Sequence, residues 1–318
     1  MSWRPDASIG MLHMRAAWLK QIRTFFDARN VLEVETPILA PTTVTDPHID
    51  SLKCRFRHRD YYLQTSPEFH MKRLLAAGSG PIYQISRVLR DDGPGRLHNP
   101  EFTLLEWYRP GFDQARLMQE IYELLARLCE PESANWDQNI AVISYRDLFG
   151  KYTDIDPLEE DMTAFLAWCD SSDHECPIDT TDSWDTALNW ALSIVIQPQM
   201  KGLCFVKDYP ADQAALAKVS TEDPRISRRF ELYADGIEIA NGFEELTDAK
   251  EQRRHFERDN RQRRLYGQEP IAIDEQFLAA LEHGIPDTSG VALGLDRLLL
   301  WSSDVKSIRR TMTFGWQE

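Results

Sequence analysis

The stretch Gln84-Ile-Ser-Arg-Val-Leu-Arg90-Asp-Asp-Gly-Pro-Gly-Arg-Leu-His98-Asn-Pro-Glu-Phe102-Thr-Leu-Leu-Glu106-Trp-Tyr108-Arg109 decides how the chain is read. Ile82–Arg90 and Glu101–Arg109 have the composition of strands. Between them, Asp91-Asp92-Gly93-Pro94-Gly95 is a strong turn signal. Strand side chains alternate between faces, so Phe102, Leu104, Glu106 and Tyr108 share one. A carboxylate and a phenol beside an aromatic ring are odd in a core strand, because an unpaired buried Glu106 is costly. Two readings follow. Either the face looks into solvent, or it floors a polar pocket in which Phe102 stacks on a base and Glu106 and Tyr108 hold a cation. Arg90 ends the first strand beside the loop, and an arginine fork matches phosphate oxygens.

Working outward, apolar residues recur at helical spacing from Met14 to Phe26, which predicts a helix over 11–29. Val31–Glu35 reads as a short strand ended by Pro37, 41–50 as loop, Pro67–Ala77 and Gln114–Cys129 as helices. Phe230–Ala240 carries a hairpin signal, with Asp235-Gly236 as its two-residue turn. A regular register sets Tyr233 opposite Glu238 and makes Glu231 and Glu238 diagonal neighbours, about 7–8 Å apart at the backbone. Such a pair suits a magnesium ion, which takes one or two carboxylates and fills its shell from water and phosphate. It is equally what an exposed hairpin would show. Thr247–Tyr266 is a charged, solvent-facing helix by default. Gly290–Leu295 is a final strand, and Asp296–Trp301 opens a helix that sets Arg297 in its first turn, where the helix dipole favours an anion. Hairpin-linked strands with helices between them predict an α+β fold with a mainly antiparallel sheet flanked by helices. Neither a Rossmann glycine pattern nor a P-loop is present, so a phosphate would be held another way.

The chain has 318 residues and a formal charge of −15. Phosphate-backbone binders are normally basic, so nucleic acid is disfavoured as the main partner and a basic protein fits better. Residues 154–182 hold ten acidic side chains and no Lys or Arg, which reads as a solvated insertion or, more sharply, a docking surface. The five cysteines form no C-x-x-C pair. Cys169, His174 and Cys176 match no common zinc spacing, so free thiols in a reducing cytoplasm are expected. The start of the chain has no apolar run of a signal peptide, and no run is long enough for a bilayer.

These features coincide in one pattern. Their order and wording resemble the catalytic domain of class II aminoacyl-tRNA synthetases, the lysyl enzyme in particular. The first class motif is similar to Phe25–Pro37, the second to the opening stretch, the third to Gly290–Arg297. Thr65-Ser66-Pro67-Glu68 and Glu238-Ile-Ala-Asn241-Gly-Phe-Glu-Glu245-Leu resemble the lysine-subclass signatures. The resemblance implies that Arg90 binds the α-phosphate and Arg297 the γ-phosphate of a bent ATP, and both are the catalytic candidates. It implies that Phe102 stacks on adenine, with Asp91, Asp92, His98, Asn99, Leu232 and Gly294 around the nucleotide. Glu231 and Glu238 would hold Mg²⁺ and ATP. Glu68 would meet the amine nearest the substrate carboxylate, beside Ser66 and Asn241. Glu106, Tyr108 and Glu245 would read the distal ammonium. The substrate carboxylate is then its own nucleophile, so positioning and charge stabilisation carry the chemistry.

Three departures narrow the resemblance. The first motif begins at Phe25, which leaves no room for the anticodon-binding β-barrel of the tRNA-charging members. The charge is −15. The third motif reads Gly290-Val-Ala292-Leu-Gly294, with Ala292 where the lysyl enzymes have glycine beside the amino-acid pocket. Together these resemble the stand-alone lysyl-synthetase paralogues that modify elongation factor P with (R)-β-lysine. That implies a single catalytic domain over 1–318 with an acidic insertion at 154–182, a homodimer built on the first motif, a cytoplasmic setting, and tRNA as an unlikely partner. Arg90-Asp91-Asp92 stands where Arg-Asn-Glu is usual, so the shorter Asp92 would need a water or a loop shift to reach ATP. The alternatives left open are a truncated synthetase that charges tRNA, an amide-forming synthetase of the asparagine type, and a non-catalytic regulatory paralogue.

Overall fold

The computed structural model describes residues 3–129 and 140–316. The chain divides into two compact units, Met1–Glu130 with Glu245–Glu318, and Pro131–Glu244.

The first unit opens with α1 (Ile9–Asp27), whose start is capped by the Ser8 hydroxyl accepting from the Met11 N–H. Its buried stripe contains Trp18, Ile22, Phe25 and Phe26 as the sequence predicts, with Met11 buried and Met14 only half-buried. The following strand β1 is shorter than expected, Leu32–Glu33, and lies parallel to a later one. Three short strands come next: β2 (Leu39–Ala40), β3 (Lys53–Phe56) and β4 (Arg59–Leu63). They form a separate antiparallel sheet in the order β2-β4-β3 that the sequence reading did not contain. Its tight turn is made by Arg57 and His58 at φ 48° and 67°. Such a turn ordinarily announces itself through glycine or asparagine, and here it does not. Then follow α2 (Glu68–Ala76), β5 (Ile82–Leu89), β6 (Glu101–Pro110) and α3 (Gln114–Leu128).

The second unit holds β7 (Ala141–Ser144), α4 (Tyr145–Tyr152), α5 (Met162–Ser171), α6 (Trp184–Trp190), β8 (Leu203–Pro210), β9 (Ile226–Ala234) and β10 (Ile237–Glu244). Its strands run in the order β10-β9-β8-β7, antiparallel except for β7 beside β8. The core packs Tyr145, Phe149, Phe165, Leu188 and Tyr209 together. The acidic stretch is tied into that core, because Phe165 and Cys169 on α5 are buried in it. Cys169 and Cys176 are neighbours, with their sulfurs 2.7 Å apart.

The chain then completes the first unit with α7 (Ala249–Leu265), α8 (Glu275–His283), β11 (Thr288–Gly294) and α9 (Leu295–Trp301). Here the strand order is β1-β5-β6-β11, antiparallel apart from the β1 edge. The fold is α+β with mainly antiparallel strands, as expected. Helix α7 departs from its solvent-facing reading: Gln252, His255, Phe256, Asn260 and Arg263 are buried. Arg263 earns its burial by donating to the backbone carbonyls of Glu269 (2.9 Å) and Asp46 (3.0 Å). Among the described residues no helix is long and apolar enough to cross a membrane.

Candidate active site

Strand β6 is the centre of the first unit's polar cluster. Residues 103–108 are all buried, so the solvent-facing reading of this strand falls. Glu106 is only 2% exposed. Register fixes its neighbours: Gln84 of β5 lies directly across on one side and Ala292 of β11 on the other. One rung along, Tyr108 stands opposite Gly290. A Cβ at Gly290 would lie 2.5 Å from both Glu245 Oε1 and Tyr108 Cδ1, so only glycine lets these groups close up.

The Glu106 carboxylate accepts from Tyr108 Oη (2.7 Å) and Ser66 Oγ (2.8 Å). Ser66 in turn accepts from the Glu68 N–H (3.1 Å) and so fixes the first turn of α2. One helical turn on, Lys72 donates to Glu68 Oε1 at 2.6 Å and also forms an ion pair with Glu245. Lys72 is 1% exposed and Glu245 2%. Glu245 is held by its own N–H, which donates to Thr288 O of β11 (2.9 Å). From α8 the Phe277 ring lies 5.9 Å from the Lys72 ammonium.

The cluster therefore collects three carboxylates around one ammonium. Burial, reinforced by Glu68, pushes the Glu106 carboxyl up to about 7 against the pull of Tyr108, Ser66 and Lys72. Burial pushes Glu245 up to about 8 although Lys72 opposes it, with Glu68 and Glu106 adding to the rise. Burial, with Glu106, Glu68 and Glu245 beside it, raises the Tyr108 phenol well above its usual range. Burial disfavours the Lys72 cation, but Glu245 and Glu68 outweigh it and hold Lys72 protonated. Among the described residues, Glu245 Oε1 and Gln84 Oε1 are buried with no hydrogen-bond donor. These two acceptors beside an under-neutralised cluster suit an incoming ammonium, which would supply the missing donor.

The same unit assembles the arginine groups. The Arg90 guanidinium lies 5.1 Å from the Phe102 ring centroid, so the fold sets these two candidates side by side. Arg297 sits on α9, where Gly294 is the N-cap residue. It donates to Leu97 O (3.3 Å) and meets His98 Nε2 at 2.9 Å. Burial, then Arg297, lowers the His98 pKa, which favours the neutral ring beside the guanidinium. Asn99 has a structural job as well: its amide donates to Glu101 O (2.6 Å) and its oxygen accepts from the Trp316 N–H (2.8 Å). Asp91 is exposed and Asp92 half-buried in the loop between β5 and β6.

The hairpin of the second unit corrects one expectation. Tyr233 stands opposite Glu238 as predicted, but a bulge between Glu238 and Ala240 shifts the register, so Asn241 rather than Ala240 faces Glu231. Glu238 still faces Tyr233, two residues from Glu231 along β9, so the expected diagonal survives and the extra residue on β10 changes only what lies directly opposite Glu231. Glu231 is 5% exposed and already engaged. Its Oε2 accepts from Tyr209 Oη (2.7 Å) and from Tyr233 Oη, and its Oε1 accepts from Arg229 (2.5 Å). Oε1 keeps one lone pair. With the half-buried Glu238, that donor set fits a cation that asks little of the protein and takes most ligands from phosphate and water. Leu232 is fully buried.

The sequence reading named Ser66, Glu68, Glu106, Tyr108 and Glu245, and the fold brings all five together. It missed Lys72, Gln84 and the packing role of Gly290. Lys72 left one clue, a lysine one helical turn after Glu68 on the same face of a short helix.

The chain belongs to the class II tRNA synthetases of the D, K and N group, whose family model matches residues 1–318. Within that class it is similar to proteins named elongation factor P–(R)-β-lysine ligase. One from Edwardsiella ictaluri is 46% identical, covering 99% of this chain and 97% of its own. One from Proteus mirabilis is 47% identical over 98% and 97%. One from Hamiltonella defensa is 46% identical over 98% and 97%.

Proposed function

We propose that this protein activates (R)-β-lysine with ATP and ligates it to a lysine side chain of elongation factor P. The observation that carries the reading is the buried group of Glu68, Glu106 and Glu245 around one lysine, which asks for a substrate with two ammonium groups. The names of the relatives supply the acceptor and the β-amino acid.

The first step joins a substrate carboxylate oxygen to the α-phosphorus of ATP as the bond to pyrophosphate breaks. The second joins the acceptor ε-nitrogen to the acyl carbon as AMP leaves with the bonding electron pair and the nitrogen loses a proton. Neither step requires a protein nucleophile. Glu68 binds the amine nearest the carboxylate, with Ser66 and Asn241 lining its subsite. Glu106, Tyr108 and Glu245 bind the distal ammonium. Arg90 takes the α-phosphate, where charge develops as the pentavalent centre forms. Arg297, steadied against His98, takes the γ-phosphate. Phe102 stacks on adenine, and Asp91, Asp92, Asn99, Leu232 and Gly294 border the nucleotide. Magnesium, when bound by Glu231 and Glu238, supplies charge neutralisation for the phosphates. We further propose one catalytic domain over the whole chain, a homodimer, a cytoplasmic setting, and no tRNA acceptor.

The test is ATP–pyrophosphate exchange with (R)-β-lysine and α-lysine, followed by transfer of labelled amino acid to elongation factor P or to tRNA. Exchange favouring (R)-β-lysine and transfer to the protein are expected. No exchange with either amino acid overturns the activation reading, and transfer to tRNA alone overturns the acceptor.

A further inference from the structure

The least expected member of the cluster is Lys72. A lysine is rarely buried completely, and when it is, partners hold it. Here the partners are Glu68, four residues back on α2, and Glu245, far away in sequence. These two are the groups to which the proposed function gives the two different substrate amines. Lys72 approaches from the α2 and α8 side, with Phe277 beneath it. It makes no contact with Glu106, whose oxygens are taken by Ser66 and Tyr108.

From this geometry we infer that Lys72 is a specificity-determining positioning residue: its ammonium ties Glu68 to Glu245 and so sets the distance between the two amine subsites. The inference rests on the site reading proposed above. A carboxylate that loses its only buried cation would rotate or take a proton, and either change moves a subsite. With Lys72 in place, the carboxyl groups stand at a fixed separation, ready to ionise against two incoming ammoniums. That matches a diamine of one particular spacing and penalises a shorter or longer one.

The consequence is a change in discrimination rather than a uniform loss. Lys72→Met should raise KM for (R)-β-lysine at least tenfold, about 1.4 kcal/mol. Its kcat in pyrophosphate exchange should move much less. Its preference among (R)-β-lysine, α-lysine and ornithine should flatten by about tenfold or more. Lys72→Arg, which keeps the charge but displaces it, should retain exchange while shifting the order of preference. Equal loss with all three amino acids, or an unchanged ranking in both variants, would overturn the inference. Folding is followed by thermal unfolding. Should both variants fail to fold, a crystal structure of the wild-type protein with bound (R)-β-lysine decides. Lys72 still bridging Glu68 and Glu245 supports the inference, and Lys72 displaced from either carboxylate refutes it. Absence of exchange in the wild-type protein would instead reject the activation reading itself, so the two failures are distinguishable.

Discussion

Each unit buries glutamate, and the two treat it in opposite ways. In the second unit Glu231 meets one guanidinium and two phenol hydroxyls, so its charge is matched within the chain. In the first unit Lys72 pairs with Glu68 and Glu245, while the neighbouring Glu106 has only the hydroxyls of Ser66 and Tyr108. Burial alone does not distinguish them, since Glu106, Glu245 and Glu231 are all nearly inaccessible. Compensation does. A buried carboxylate that the fold neutralises is held in place by the chain before any cation arrives, whereas one left under-neutralised, beside acceptors with no donor, lacks its counter-charge until a cation binds.

Stability should separate the two clusters most widely. Glu231→Gln would leave the half-buried Arg229 opposite a neutral amide, and removing one partner of a largely buried pair costs up to about 3–5 kcal/mol. A large drop in the denaturant midpoint is expected. Glu245→Gln should act in the other direction on the ligand-free protein. It removes a carboxylate that burial disfavours, so folding stability should hold or rise while activation of (R)-β-lysine falls by roughly a hundredfold, about 2–3 kcal/mol. If both variants destabilise alike, the contrast between the units is wrong.

Two smaller effects sharpen it. Gly290→Ala would press a methyl onto Tyr108 and Glu245, and overpacking of this kind costs about 1–3 kcal/mol. Weaker amino-acid binding with intact ATP binding is expected in equilibrium titrations. Ala292→Gly should be the mildest change. Ala292 faces Glu106 across the strand pair, and its methyl narrows that edge of the cluster. Its loss should shift the ratio of activation rates toward α-lysine by about tenfold. An unchanged ratio would mean that the methyl does not discriminate.

Much of this was legible beforehand, for identifiable reasons. Strand β6 could be read because period-two alternation put Glu106 and Tyr108 on one face, and the surrounding turn residues bounded it. The β3–β4 hairpin could not, because Arg57 and His58 adopt left-handed backbone angles without the usual turn residues. The β10 bulge was equally silent: nothing in Glu238-Ile-Ala-Asn marks an extra residue, so the predicted ladder ran straight past it. Of the site, Glu68, Glu106 and Glu245 were found through motif resemblance, and their side-chain chemistry agreed. Lys72 and Gln84 were missed because their roles depend on which strands and helices meet. No local pattern says that a lysine on α2 will face a glutamate more than 170 residues later.

The first unit's carboxylate cluster is short of positive charge, and its protons answer to a diammonium ligand. Glu106 and Glu245, with pKa values raised to about 7 and about 8, retain protons near neutral pH in the ligand-free state. Because both lie above the ordinary glutamate value of 4.5, the stability they contribute is complete only below that value and declines as pH rises from there. It is lost as pH rises through 7 to 8, when the buried groups ionise. Two bound ammoniums reverse that balance and expel the protons. The direct measurement is calorimetric titration of (R)-β-lysine at pH 7 in buffers of different ionisation enthalpy. Release of about one proton or more per site is expected, with affinity rising as pH increases from about 6 to 8. Binding with no proton release, or tighter binding in acid, would contradict it.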